Sequence, residues 1–162
     1  RLYSQFSVLL FRRQHGGIEM PVLGIVLQKN FMRFSVLDGD RDGPIFIDKG
    51  RIATCDPKDV PQLMDWYETS FQQIIAEYHP SIIAYKLSLD PNIEQLHNLS
   101  FPLGVLNLLA RKRGIQVKEF SHRAITPNKL GLHKSVDLQK YVDDTFGERP
   151  PYWDKYQKYH GK

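Results

Sequence analysis

The stretch VLGIVLQKN, Val22 to Asn30, is apolar from Val22 to Leu27 apart from Gly24 and then breaks into polar residues. A short, nearly continuous apolar run of this kind predicts a strand buried on both faces, and therefore one near the middle of a sheet. Downstream, RFSVLDGDRDGPIFIDKGRI offers two β-rich runs, Arg33 to Leu37 and Pro44 to Ile47, around a polar, glycine-containing connection. That is the pattern of a hairpin with a longer loop, and Arg51 to Thr54 reads as a further short strand. In DPKDVPQLMDWYETSFQQIIAEYHP, the residues Leu63, Trp66, Tyr67, Phe71, Ile74 and Ile75 recur at helical spacing, with Asp59 as a cap candidate and Pro80 beyond the end. SIIAYKLSLD is a fourth strand ended by Asp90-Pro91. Past Pro102 a helix runs from about Leu103 to Arg113 and stops at Gly114. IQVKEFS alternates as a strand, Lys134 to Phe146 reads as a helix, and a last helix begins after Pro150 and Pro151. The resulting order is a strand meander followed by strands alternating with helices, which implies a mixed sheet flanked by helices.

The 162 residues fit one domain that can bury a single core without cross-links. The single cysteine, Cys55, excludes an internal disulfide framework and a cysteine-paired zinc site. It reads as a packing residue in a reducing, cytoplasmic setting. A formal net charge of +4 suits an anionic partner without demanding one. The apolar run Phe6 to Phe11 precedes Arg12 and Arg13, the wrong order for a signal peptide, and is too short to span a bilayer. No membrane association is expected. Residues 1–19 read as an extension upstream of Met20 or as an added edge strand, and residues 20–162 as the domain. The ending HGK reads as a helix cut short or tagged.

Several constellations carry possible chemistry. Asp38, Asp40, Asp42 and Gly43 match the start of a calcium loop, but Lys49 occupies the twelfth position, where a bidentate Glu is required. A polar hairpin tip is the preferred reading. His133 and Asp137, four apart, would share a helix face, with Asp143 and Asp144 following. A solvated surface accounts for them, while a relocated metal site would draw on Asp38, Asp90, Asp137, Asp143 or Asp144. Arg111, Lys112 and Arg113 complement a helix macrodipole, or join Lys118, Arg123, Lys129 and Lys134, with His122 nearby, in a phosphate-binding face. Tyr152, Trp153, Tyr156 and Tyr159, interleaved with Lys155 and Lys158, read as a docking face or as a base-stacking surface. No phosphate-binding P-loop or nucleophile elbow occurs.

With VLGIVLQKNFMRFSVLDGD opening the sheet and SIIAYKLSLD as its fourth strand, Pro21 to His160 resembles the ribonuclease H-like superfamily in its RuvC-like Holliday junction resolvase branch. It also resembles a small bacterial family of resolvase-like proteins. The resemblance implies an α/β fold with a mixed five-stranded sheet and helices on both faces. It also implies an acid after the LGI of the first strand, another on the fourth strand and more on the last helix. Such carboxylates hold two magnesium ions that activate water and stabilise the leaving oxygen. Here the first position is Val26 and the second falls at Tyr85 or Lys86, while His160 and Lys162 lie near the third.

The expected function is a non-catalytic resolvase-like module that binds DNA, RNA or a protein partner, without a cofactor. The nucleic-acid contacts would be Lys86, Arg111, Lys112, Arg113, Lys118 and Arg123. One alternative is a magnesium- or manganese-dependent nuclease with relocated acids. Another is a structural homodimer joined through the N-terminal apolar run and the aromatic C-terminal segment.

Overall fold

The computed structural model describes residues 21–28, 30–39, 43–54, 59–86, 99–120 and 126–148. Its strands are β1 (Val22–Gln28), β2 (Phe31–Gly39), β3 (Pro44–Ala53), β4 (Ile82–Lys86) and β5 (Gln116–Phe120). Its helices are α1 (Val60–Tyr78), α2 (Phe101–Arg113) and α3 (Leu138–Phe146). The sheet runs in the order β3-β2-β1-β4-β5. Both pairings among the first three strands are antiparallel, whereas β4 is parallel to both β1 and β5. As its apolar run predicts, β1 is central, and Val22 to Ile25 are buried.

Strand alternation divides the sheet into two faces. Leu23, Ile25, Met32, Val36, Ile83 and Tyr85 point to one and form the main core with Leu63, Tyr67, Phe71, Ile74 and Ile75 of α1 and Leu103, Leu106, Leu109 and Ala110 of α2. The α1 positions follow the 3.6-residue period, and Asp59 caps the helix by accepting from Gln62 N at 3.2 Å. On the other face Leu37 and Phe46 meet Val142 and Phe146 of α3. Helices therefore lie on both sides of a mixed five-stranded sheet. No helix among the described residues is long and apolar enough to cross a membrane.

Three expectations are corrected. The pieces Pro44 to Ile47 and Arg51 to Thr54 are one strand, β3. Its pairing shifts between Val36 and Leu37, where Asp48 opposes Val36 but Phe46 opposes Leu37, leaving Ile47 as the extra residue. This bulge breaks the alternation, so Phe46 and Asp48, two apart, reach opposite faces. Phe46 packs on Phe146 at 6.3 Å between ring centroids, while Asp48 accepts from the Tyr78 hydroxyl at 2.5 Å. The helix predicted from Lys134 begins at Leu138, because Asp137 caps it. The helix predicted from Leu103 begins at Phe101, since Pro102 fits a first helical turn, where no amide hydrogen is needed.

At the β2–β3 turn, Gly39 has φ +84° and a Cβ there would collide with the Gly43 carbonyl oxygen. The Asp38 carboxylate accepts from Gly39 N at 2.7 Å. These are hairpin-tip features, as expected; Asp40 and Asp42 lie outside the described residues.

Tyr85 ties three elements together: its hydroxyl donates to Glu119 of β5 and accepts from Asn107 Nδ2 of α2 at 2.7 Å. Burial, reinforced by Glu119, pushes its pKa up from 10.0 to about 12. The native chain thus keeps a proton that the unfolded chain releases near pH 10, and stability falls as pH rises from about 10 towards about 12. Tyr85→Phe is expected to cost about 1 kcal/mol near neutrality and to shrink the alkaline loss. Urea unfolding of both proteins near pH 7 and near pH 11 measures both effects.

Candidate functional site

The strand registers define rows of neighbours on the sheet face away from α1 and α2. One row reads Lys49, Ser35, Gly24, Ala84 and Lys118 across β3, β2, β1, β4 and β5. The next begins with Arg51, Arg33 and Val26. One step beyond the Ile25–Tyr85 pair, Val26 adjoins Lys86, which in turn pairs with Phe120. Val26 is therefore flanked by Arg33 on β2 and Lys86 on β4, whose backbones are about 10 Å apart from the ordinary strand spacing.

The two candidates for the fourth-strand position, Tyr85 and Lys86, fall on different faces of the sheet. Tyr85 belongs to the main core beside Ile25, whereas Val26 packs against Val22, Ile82 and Ala84 on the opposite face. Lys86, not Tyr85, is the neighbour of Val26. It is half-buried, and the loss of solvent lowers its pKa from 10.5.

Arg33 is only 5% exposed and Ser35 only 2%. Among the described residues, Arg33 Nε and Nη1, Ser35 Oγ and Gln28 Oε1 are buried without a hydrogen-bond partner. Gln28, Val26 and Gly24 alternate along β1 opposite Phe31, Arg33 and Ser35, so these orphaned atoms gather on one face. Leaving such a donor or acceptor unmet costs about 1–3 kcal/mol, more when it is charged. Some compensation comes from the Phe31 ring, whose centroid lies 5.3 Å from the Arg33 guanidinium carbon and 4.0 Å from that of Arg51.

A divalent metal needs oxygen donors, and the resemblance places carboxylates on this face. The described residues do not fit that requirement: Val26 offers no donor atom, and Arg33 and Lys86 beside it repel a dication. Nor does any group of three or more His, Cys, Asp or Glu among the described residues form a metal-holding cluster.

The remaining predicted site residues scatter. Arg111, Lys112 and Arg113 are exposed in the last turn of α2, followed by Gly114 in the left-handed conformation. Two residues later Gln116 pairs with Ile82, the first residue of β4, so this cluster lies at the opposite end of β4 from Lys86. The expected contact set is thus divided, with Lys86 and Lys118 on the orphan-bearing face and the arginine cluster elsewhere. Lys129 and Lys134 are exposed around the connection to α3. Asp90, His122, Arg123, Cys55 and the aromatic C-terminal segment, including His160 and Lys162, lie outside the described residues.

The expected His133–Asp137 helical pair does not form, because His133 precedes the helix and its Nδ1 lies 2.7 Å from Ser135 Oγ. The Asp137 carboxylate accepts from Gln139 N at 2.8 Å and Lys140 N at 3.4 Å. Asp143 is half-buried and Asp144 exposed on α3. Sequence reasoning missed Arg33, Ser35 and Arg51. The alternation in Phe31 to Leu37 puts Arg33 and Ser35 on one face, but nothing in it reveals that this face is buried beside Val26.

No family model matches the chain. Crossover junction endodeoxyribonuclease RuvC of Citrifermentans bemidjiense is 24% identical over 121 residues, covering 74% of this chain and 74% of that protein. The structure of Thermus thermophilus RuvC superposes with a TM-score of 0.63 at 13% identity, covering 82% of this chain and 84% of that one. T. thermophilus RuvC in complex with Holliday junction substrate gives a TM-score of 0.55 at 14% identity, over 73% of this chain and 83% of that one.

The capping geometry assigns Asp137 a structural task. Asp137→Ala is expected to lower stability by about 1 kcal/mol. Asp137→Asn, which still accepts from the helix amides, should lose only a fraction of that. Thermal denaturation of the two variants makes the comparison.

Proposed function

The chain has the RuvC-like, ribonuclease H-like resolvase fold, and we propose that it is a cytoplasmic module that binds nucleic acid without hydrolysing it. The observation that carries this reading is the row Arg33, Val26, Lys86, which sets an apolar residue between two cations where the resemblance calls for carboxylates. Phosphodiester hydrolysis of the two-metal kind requires those carboxylates to hold ions that activate water. A guanidinium and a desolvated ammonium cannot supply that function. They do supply what a phosphate backbone binds, namely fixed positive charge with hydrogen-bond donors. The likeness to T. thermophilus RuvC, solved in complex with Holliday junction substrate, favours branched DNA as the first nucleic acid to try.

Labelled single-stranded, duplex and four-way-junction DNAs, incubated with magnesium or manganese and resolved in binding and denaturing gels, test the reading. Salt-sensitive binding with no cleavage is expected. Metal-dependent cleavage that disappears in Asp90→Asn or Asp143→Asn would replace it with the relocated-site nuclease. Because Lys86 and Lys118 share the orphan-bearing face, replacing both with Ala should reduce the slope of log affinity against log salt by about one for each phosphate that the two lysines neutralise.

A further inference from the structure

We infer that the face around Val26 is a built phosphate seat, in which Arg33, Ser35 and Lys86 hold a phosphodiester oxyanion at the place where the resemblance puts metal ions. Three observations converge on an anion. Nε and Nη1 of the Arg33 guanidinium are donors that are buried and unpartnered among the described residues. A buried guanidinium with unmet donors is answered by the charge-assisted hydrogen bond of an oxyanion. Ser35 Oγ, two residues along the same strand face and equally unpartnered, adds a third donor. Lys86 adds a charge from the far side of Val26.

The distribution of charge around the seat favours a phosphodiester chain over an isolated carboxylate. Arg51 continues the Arg33 row outward and is exposed, while Lys49 and Lys118 stand at the two ends of the neighbouring row. A single carboxylate reaches the seat alone, whereas successive phosphates along a strand extend across this wider basic face. Beside the buried guanidinium, Val26 and Lys86 are half-buried and Arg51 is exposed. The identity of the polyanion rests on the proposed nucleic-acid function; the anion seat itself does not.

The test uses the full chain with two probes: inorganic phosphate against chloride at matched ionic strength, read by thermal denaturation, and a labelled four-way junction and single strand, read by fluorescence anisotropy without added metal. Phosphate should raise the melting temperature of the wild type in a saturable manner. Arg33→Met should weaken phosphate binding roughly 10- to 100-fold, the range of a charge-assisted hydrogen-bond pair. Should Arg33→Met fail to fold, Val26→Asp decides the matter. It places a carboxylate beside the orphaned guanidinium, and is expected to melt at a higher temperature than the wild type and to lose the phosphate response.

A wild type that responds to phosphate no more than to chloride, or a Val26→Asp protein that still responds, would overturn the seat. Phosphate binding that depends on Arg33, with no affinity for either DNA, would support the seat and refute the nucleic-acid reading. DNA binding that is indifferent to both substitutions would overturn the phosphodiester assignment of the seat and leave nucleic-acid binding to another surface.

Discussion

Everything at the candidate site depends on the register of β1 against its two neighbours. The pleat sends successive side chains to opposite faces, so pairing Ile25 with Phe34 on one side and Tyr85 on the other fixes the facing of every other residue on those strands. A one-residue slip of β1 would carry Val26 into the main core and turn Ile25 towards the cations. The register is held because Leu23, Ile25, Met32, Ile83 and Tyr85 are essentially inaccessible to solvent beneath α1 and α2. Removing such side chains from water contributes about 1.5–3 kcal/mol each, which a slipped pairing would forfeit. The Tyr85 hydroxyl, shared between Glu119 and Asn107, adds a directional constraint to the same register.

Stability and candidate chemistry consequently sit on different faces of one sheet. The α1–α2 face is continuous, apolar and close to fully buried. The opposite face has two small apolar clusters, Val22, Ile82 and Ala84 in one and Leu37, Val142 and Phe146 in the other, with the orphaned polar groups on the rows beside them. Substitution on that second face can change charge and donor type without emptying the main core. The fold can therefore persist at 13% identity to T. thermophilus RuvC while the residue after the LGI of its first strand is a valine. A fold is specified chiefly by its apolar pattern, and a site by a few side chains placed on it.

That division also explains what the sequence made legible. The central strand, the α1 face and the order of elements were readable, because apolar periodicity is a local property and these elements are buried through it. The β3 strand was read as two pieces because the bulge at Ile47 shifts the phase of its alternation, and only pairing with Val36 and Leu37 shows that the backbone continues. A spacing of four suggests that Asp137 shares a helix face with His133; its use as a cap instead leaves His133 outside the helix. Arg33 was illegible as a site residue for a different reason. Its meaning comes from Val26, seven positions away in sequence and directly opposite across the strand pair, and from the burial that turns a routine strand arginine into an orphan.

The electrostatics of the row follow from one substitution. A carboxylate at the Val26 position would neutralise Arg33 locally, and a second at the Lys86 position would help to gather divalent ions. With valine and lysine there, neither position offers an anion to attract a dication, and the two cations flank an apolar residue. Like charges in a partly desolvated site repel more strongly than in water, which disfavours the arrangement until something negative answers it. The lowered pKa of Lys86 expresses the same burden, since desolvation disfavours its charged form. Under the proposed reading, the phosphate backbone relieves both groups at once. Neither cation activates a water as a bound metal does, so on that reading a face that would grip and cut with metals retains the grip alone.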